Sequence, residues 1–154
     1  MKRRYLAVLA AALVMPFSTC FAEELPAAPP NLKEVEAQGL PRVSAEDLKA
    51  HFPGIVDWKG VKSRRIITHN PDGTLVSKGF KHGFADVPGK WRIDEKNNTY
   101  CKALPQQQRG GVMAKGGLEE HCFTVFRASD GVHFFDYDVQ DGFYVGVWRK
   151  SSDQ

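Results

Sequence analysis

From Ile55 to Lys150 the chain is a succession of short apolar runs, broken by turn signals about every 8–12 residues. Arg65 to His69 is β-branched at its centre. Asn70-Pro71-Asp72-Gly73 follows, with proline at the second position of a type I turn and a glycine free to take positive φ. Thr74 to Lys81 is the next run, His82-Gly83 bends the chain, and Phe84 to Val87 leads into a break at Pro88-Gly89. Lys90 to Glu95 alternates, with Trp91 and Ile93 on one face. Asn97-Asn98 turns the chain into Thr99 to Leu104. Leu118 to Arg127 is the strongest strand pattern, with Cys122, Thr124 and Phe126 opposite Phe123 and Val125. Ser129-Asp130-Gly131 and Asp141-Gly142 punctuate the last runs, Val132 to Asp138 and Phe143 to Lys150. There is no internal repeat and no βαβ alternation. The pattern predicts a mainly β fold of seven or eight strands, an antiparallel meander closing as a small barrel or strongly curved sheet. Closure would leave no free edge. Pro105 to Gly117, with three glutamines and the pairs Gly110-Gly111 and Gly116-Gly117, reads as a loosely ordered connection.

One or two short helices precede the strands. Leu32 to Gln38 is closed by Gly39. Ser44 can cap a second helix, with Asp47 three residues on in a variant of the capping box, and Val43 and Leu48 placed as a hydrophobic staple. Pro53-Gly54 stops it. A helix of about two turns depends on tertiary packing.

Residues 1–22 read as a secretory signal peptide. Lys2, Arg3 and Arg4 form the positive end, Tyr5 to Met15 is an apolar run, and Cys20-Phe21-Ala22 offers small residues for cleavage after Ala22. The run is short of the roughly 20 residues that span a bilayer. A retained anchor and lipidation at Cys20 are the alternatives. Residues 23–43, with Pro26, Pro29 and Pro30 among alanines, read as a leader and linker. Residues 44–150 form one β-rich domain.

Of the 21 Lys and Arg in the chain, three lie in residues 1–22, so the remainder carries 18 against 18 Asp and Glu. A neutral domain without a Lys/Arg cluster lacks the footprint of a nucleic-acid binder and the polybasic stretch that would hold it on an anionic membrane. A monomer is expected, without stable membrane insertion after cleavage. The address expected is the periplasm or the exterior.

Loss of Cys20 leaves Cys101 and Cys122, an even number in an oxidising compartment and therefore a disulfide. The loop between them would make it worth roughly 3 kcal/mol. No C-x-x-C and no His/Cys cluster at zinc spacing offers a redox or metal reading, so no metal or cofactor is expected.

No G-x-S-x-G, H-E-x-x-H, Walker A or G-x-G-x-x-G is present, and no catalytic residue is assigned; the chain is not expected to be an enzyme. An unrecognised hydrolase site is an alternative, built from Glu119, His121 and His133 if they converge. Arg109 and Lys115 in the Gly-rich stretch are either a cationic lid or a solvated connection. Trp91, Tyr100, Phe126 and Tyr144, with Arg109, are the candidate ligand-binding residues; for the aromatics the competing role is core packing.

Ser44-Ala45-Glu46-Asp47-Leu48, then Asp72-Gly73-Thr74, Gly89-Lys90-Trp91-Arg92-Ile93-Asp94, Tyr100-Cys101 and Cys122-Phe123-Thr124-Val125-Phe126-Arg127 form a wider pattern. It resembles a group of exported bacterial proteins of unknown function (domain of unknown function 995 and its relatives), over roughly residues 44–150. The resemblance implies export and a β-rich fold, with no established activity. The function expected is binding of a small ligand or an envelope protein partner. A structural or stress-related envelope protein without a ligand site is the alternative.

Overall fold

The structure is a computed structural model, and it describes residues 25–79, 86–107 and 113–151, with the backbone alone at residues 106, 107 and 113–116. Eight strands follow two short helices. They are β1 (Gly54–Gly60), β2 (Arg64–His69), β3 (Thr74–Gly79), β4 (Val87–Asp94), β5 (Thr99–Gln107), β6 (Met113–Arg127), β7 (Phe134–Asp138) and β8 (Tyr144–Lys150). Each pairs antiparallel with the next, and β1 also pairs with β8 through Trp58↔Trp148, so the sheet closes into a barrel. Eight strands leave an interior that side chains can fill, or that can hold one small ligand.

Turn chemistry sets the order at one end. Gly73, at φ 81°, donates its N–H to the Asn70 carbonyl at 3.1 Å and closes the β2–β3 turn. Asn98, at φ 50°, takes the left-handed conformation that asparagine tolerates, and turns β4 into β5.

Helix α2 (Ala45–His51) closes this end of the barrel. Ser44 Oγ accepts from the Asp47 N–H at 3.1 Å, as the capping pattern requires. Val43 and Leu48 are both buried in the interior cluster, with Phe52 at the helix end. Phe52 stacks on Tyr100 at a 4.9 Å centroid distance and packs against His69, Trp91 and Trp148. Asn98 Oδ1 accepts from the Ala45 N–H, and Arg42 donates to the Asn97 carbonyl, which fastens the helix over the mouth.

Three findings differ from the sequence expectations. Pro88-Gly89 does not break the chain: both lie within β4. There β4 is registered to β3 alone, through Val76↔Pro88, while its pairing with β5 starts at Lys90, so the missing proline N–H falls at an edge-like position. Gly89 is crowded by the Ala103 carbonyl and the Leu104 side chain, which leave no room for a Cβ.

The Pro105 to Gly117 stretch is mostly ladder. β5 runs to Gln107 and β6 begins at Met113, with Pro105↔Leu118 and Gln107↔Met113 paired across a register shift. The pairing of neighbouring strands carries weak strand formers along, and only residues 108–112 of this stretch lie outside the described residues.

Residues 25–43 are packed rather than a free linker. Helix α1 (Leu32–Ala37) lies on the outer face of β6, β7 and β8, where Val35, Phe126, Phe135, Tyr137 and Val147 form a second buried cluster. Tyr137 donates its hydroxyl to the Pro29 carbonyl at 2.8 Å. Residues 41–43 pair with the end of β6 that outruns β5, through Val43 N–H to the Val125 carbonyl and Arg127 N–H to the Pro41 carbonyl. The apolar outer faces of β6–β8 need this cover, because exposed they would form a large hydrophobic patch.

The expected disulfide is present. Cys101 and Cys122 sit opposite each other on β5 and β6. Arg92 reaches across β5 to Glu120 in a two-pronged ion pair at 2.8 and 2.9 Å. Cys101, Glu120 and Cys122 lie together, but both sulfurs are spent in the disulfide, so no thiolate is offered to a metal. A disulfide is the mark of an oxidising compartment. Among the described residues no helix is long and apolar enough to cross a membrane.

Candidate functional site

Trp58 divides the barrel interior in two. Its indole lies flat against Gly60 and Gly146, and a Cβ at Gly146 would come within 2.6 Å of the ring. The α2 side of this partition is solid. The space left there is about 10 Å³, enclosed by Phe52, Val56, Ile67, His69, Tyr100 and Trp148 among others, no more than a single water needs.

Two polar pairs are built into that solid half. Asp136, 1% exposed, accepts the indole N–H of Trp148 at 2.7 Å on Oδ1 and that of Trp58 at 3.2 Å on Oδ2. Burial pushes its carboxyl up to about 6, against the pull of Lys102 and the two indole donors. His69 is buried with Nδ1 3.3 Å from the Gly54 carbonyl and Nε2 2.7 Å from the Tyr100 hydroxyl. Burial pulls the imidazole down to about 4. A neutral ring donating from Nδ1 then accepts the Tyr100 proton at Nε2, and desolvation holds that phenol well above its usual range.

On the other side of Trp58, at the end where β2 and β5 present Arg65 and Leu104, lies a cavity of about 290 Å³. Its apolar wall is Trp58, Ile67, Leu104, Phe123 and Val145. Its polar wall is Ser63, Arg65, Ser77, Lys102, His121 and Asp138. The size sits at the lower edge of known ligand cavities, about 300–1,000 Å³, and the mixture of apolar lining with a few convergent polar groups is the usual one.

Each wall residue is placed by strand alternation. On β5, Tyr100, Lys102 and Leu104 point inward while Cys101 points out to its disulfide. On β6, His121 and Phe123 point inward. Val145 joins them because the β7–β8 ladder shifts register between Asp136 and Tyr137, which turns an extra residue of β8 toward the interior.

Lys102 holds its Nζ 4.7 Å from the ring centroids of both Trp58 and Phe123. Burial lowers the pKa of its ammonium, as does Arg65, while Asp136 raises it. Arg65 donates to Ser77 Oγ at 3.4 Å, a long and weak bond. Among the described residues, no carboxylate comes within ion-pair distance of either cation. Asp138 is differently engaged. Its Oδ1 accepts the Gln140 N–H at 2.7 Å, and its Oδ2 lies 3.8 Å from His121 Nδ1.

Of the residues singled out from sequence, Trp91 and Tyr100 belong to the packed end under α2, where Trp91 Nε1 donates to the Asn70 carbonyl at 2.9 Å. Phe126 and Tyr144 lie on the outer face in the cluster under α1. Arg109 lies outside the described residues. Glu119 and His121 are neighbours, 3.5 Å apart at their closest side-chain atoms. His133 is buried at the far end of the β6–β7 hairpin with Nδ1 2.6 Å from Asp130. The length of β6 between His121 and Arg127 is about 20 Å at 3.3–3.4 Å per residue, so the three do not converge. Lys102, Arg65 and Asp136 were not singled out from sequence. Their only advance signal was a charged residue inside an otherwise apolar alternation.

Comparison with known protein families, with curated proteins and with solved structures finds no match to this chain. The fold by itself defines a small, closed, eight-stranded antiparallel barrel with one packed end.

Proposed function

We propose that this protein is an exported binding barrel, whose cavity beyond Trp58 holds one small molecule. The observation that carries the reading is the contrast between the two halves of one interior. Side chains fill the half under α2 to a residue of about 10 Å³, while the other half keeps about 290 Å³ lined by both apolar and polar groups. A core built only for stability fills its interior with close-packed side chains, as the half under α2 does. Export rests on the composition of residues 1–22 and agrees with the disulfide between Cys101 and Cys122.

The test is native mass spectrometry of the full chain, exported with its own leader and kept free of reductant. A mass that starts at Glu23, lacks two hydrogens and carries a small-molecule adduct is the expected result. An oxidised protein that never carries an adduct, from the exporting host or after incubation with a small-molecule panel, would overturn the reading. That outcome would favour a structural envelope role, which the solid half of the interior also suits.

A further inference from the structure

We propose that the cavity selects organic oxyanions: a carboxylate or phosphate head held between Lys102 and Arg65, on a short apolar or aromatic body that rests on Trp58, Phe123 and Leu104. This rests on the ligand-binding reading above and names its ligand class.

The charge inventory of the cavity carries it. Two basic side chains line the space, Arg65 from β2 and Lys102 from β5. Arg65 is near enough to disfavour the charge on Lys102. Of the acids nearby, Asp138 already accepts a backbone N–H and faces His121. Asp136 is spent on two indole donors beneath Trp58 and is no part of the cavity wall. His121 also faces Glu119 at 3.5 Å, so it too has a carboxylate beside it. What remains is a pair of basic groups with no carboxylate in ion-pair distance among the described residues: Asp136 attracts Lys102 from below Trp58 but makes no contact with it.

A partly buried ammonium with no contacting counter-ion is expensive, because it has lost water and the attraction of Asp136 reaches it without a hydrogen bond. The faces of Trp58 and Phe123 compensate Lys102 in part. They satisfy the charge from the sides and supply no hydrogen-bond acceptor. Nor does any described residue accept a hydrogen bond from its Nζ. An arriving oxyanion would supply acceptors to Lys102 and to the guanidinium of Arg65, whose fork suits two-oxygen heads. It would also relieve the repulsion between them. The hydroxyls of Ser63 and Ser77 stand in the same wall and can donate to the same head.

The probes are three molecules of one body and three heads: 4-phenylbutyrate, its neutral amide and 4-phenylbutylamine. A fourth, the phenylbutyl phosphate monoester, separates carboxylate from phosphate recognition. Each is titrated into the oxidised full-length protein by calorimetry at two salt concentrations. At least one of the two acids should bind ten-fold or more tightly than the amide, and its affinity should fall as salt rises. Lys102→Met should shrink the acid-over-amide preference to three-fold or less. Arg65→Gln should shrink it in part, and it keeps the test open if the lysine variant fails to fold. An amide that binds as well as both acids, or an amine that binds better, overturns the oxyanion assignment and leaves the binding cavity standing. Failure of all four probes, together with the adduct-free protein described above, overturns both.

Discussion

The indole N–H of Trp148 donates to Oδ1 of Asp136 across 2.7 Å, at the centre of the barrel and out of reach of water. With Trp58 on the other oxygen, the carboxyl is doubly held in a site that still disfavours its charge. The consequence is a pH dependence that the wild-type protein conceals.

Asp136 has a folded pKa of about 6, above the ordinary 3.8. Its contribution to stability is therefore complete below 3.8 and is lost as pH rises through 6. His69 runs the other way. Its folded value of about 4 lies below 6.5, so its contribution is present above 6.5 and lost as pH falls through 4. Each effect spans about 3 kcal/mol at 1.36 kcal/mol per unit, and between pH 4 and 6 they oppose each other. Asp136→Asn should therefore lose stability relative to wild type as pH falls from 6.5 to 4. His69→Gln should lose it relative to wild type as pH rises from 4 to 6. Urea unfolding across that range checks both, and variant profiles parallel to wild type would refute the cancellation.

Gly60 and Gly146 make the bed of the Trp58 indole. Gly146→Ala puts a methyl 2.6 Å from the ring and should cost about 1–3 kcal/mol, with a shift in tryptophan emission as the ring tilts. Gly117→Ala, where nothing lies within 4 Å of the new methyl, should be close to neutral. Equal effects at the two positions in denaturant unfolding would show that backbone propensity, not the Trp58 contact, governs both.

The Cys101–Cys122 bridge closes a loop with a sequence separation of 21. Replacing both cysteines by alanine should lower stability by about 3 kcal/mol, through the freedom regained by the unfolded chain. The measurement is urea unfolding of the double variant beside the oxidised parent. Coincident curves would remove the bridge from the list of supports.

Residues 25–40 behave as part of the fold. Their removal would uncover Phe126, Phe135, Tyr137 and Tyr144 and take away the acceptor of the Tyr137 hydroxyl. Val35 is the central contact, fully buried in that cluster, and Val35→Asp should mimic the truncation by burying an unpaired charge. The expected readout is a loss of several kcal/mol, or binding of a hydrophobic dye by the native state. A fully stable truncated barrel would return this segment to the status of a linker.

Much of the architecture could be read along the chain. Turns at Asn70 to Gly73 and Asn97-Asn98, the Ser44 cap and the alternation of Leu118 to Arg127 each depend on neighbours within a few residues, and the pair of cysteines was legible from their number alone. β7 shows where this stops. Phe134 and Asp136 face the interior while Phe135 and Tyr137 face α1, so both sides of the strand are buried and alternation of polarity is erased. Pro88-Gly89 misled for a related reason. Local preference favours a turn there, but one unpaired flank makes a proline tolerable within a strand.

By itself, then, the sequence determined a β-rich meander, its helical preface and its candidate disulfide, because those follow from period-two patterning, local turn and cap chemistry and an even cysteine count. Only the closed tertiary structure decided which face became the interior. That choice set Lys102 against Trp58 and Phe123, brought Arg65 toward it from three strands away, and seated Asp136 between two indoles. Such convergence comes from strand register and barrel closure, which are sums over all eight ladders and leave no mark at any one position.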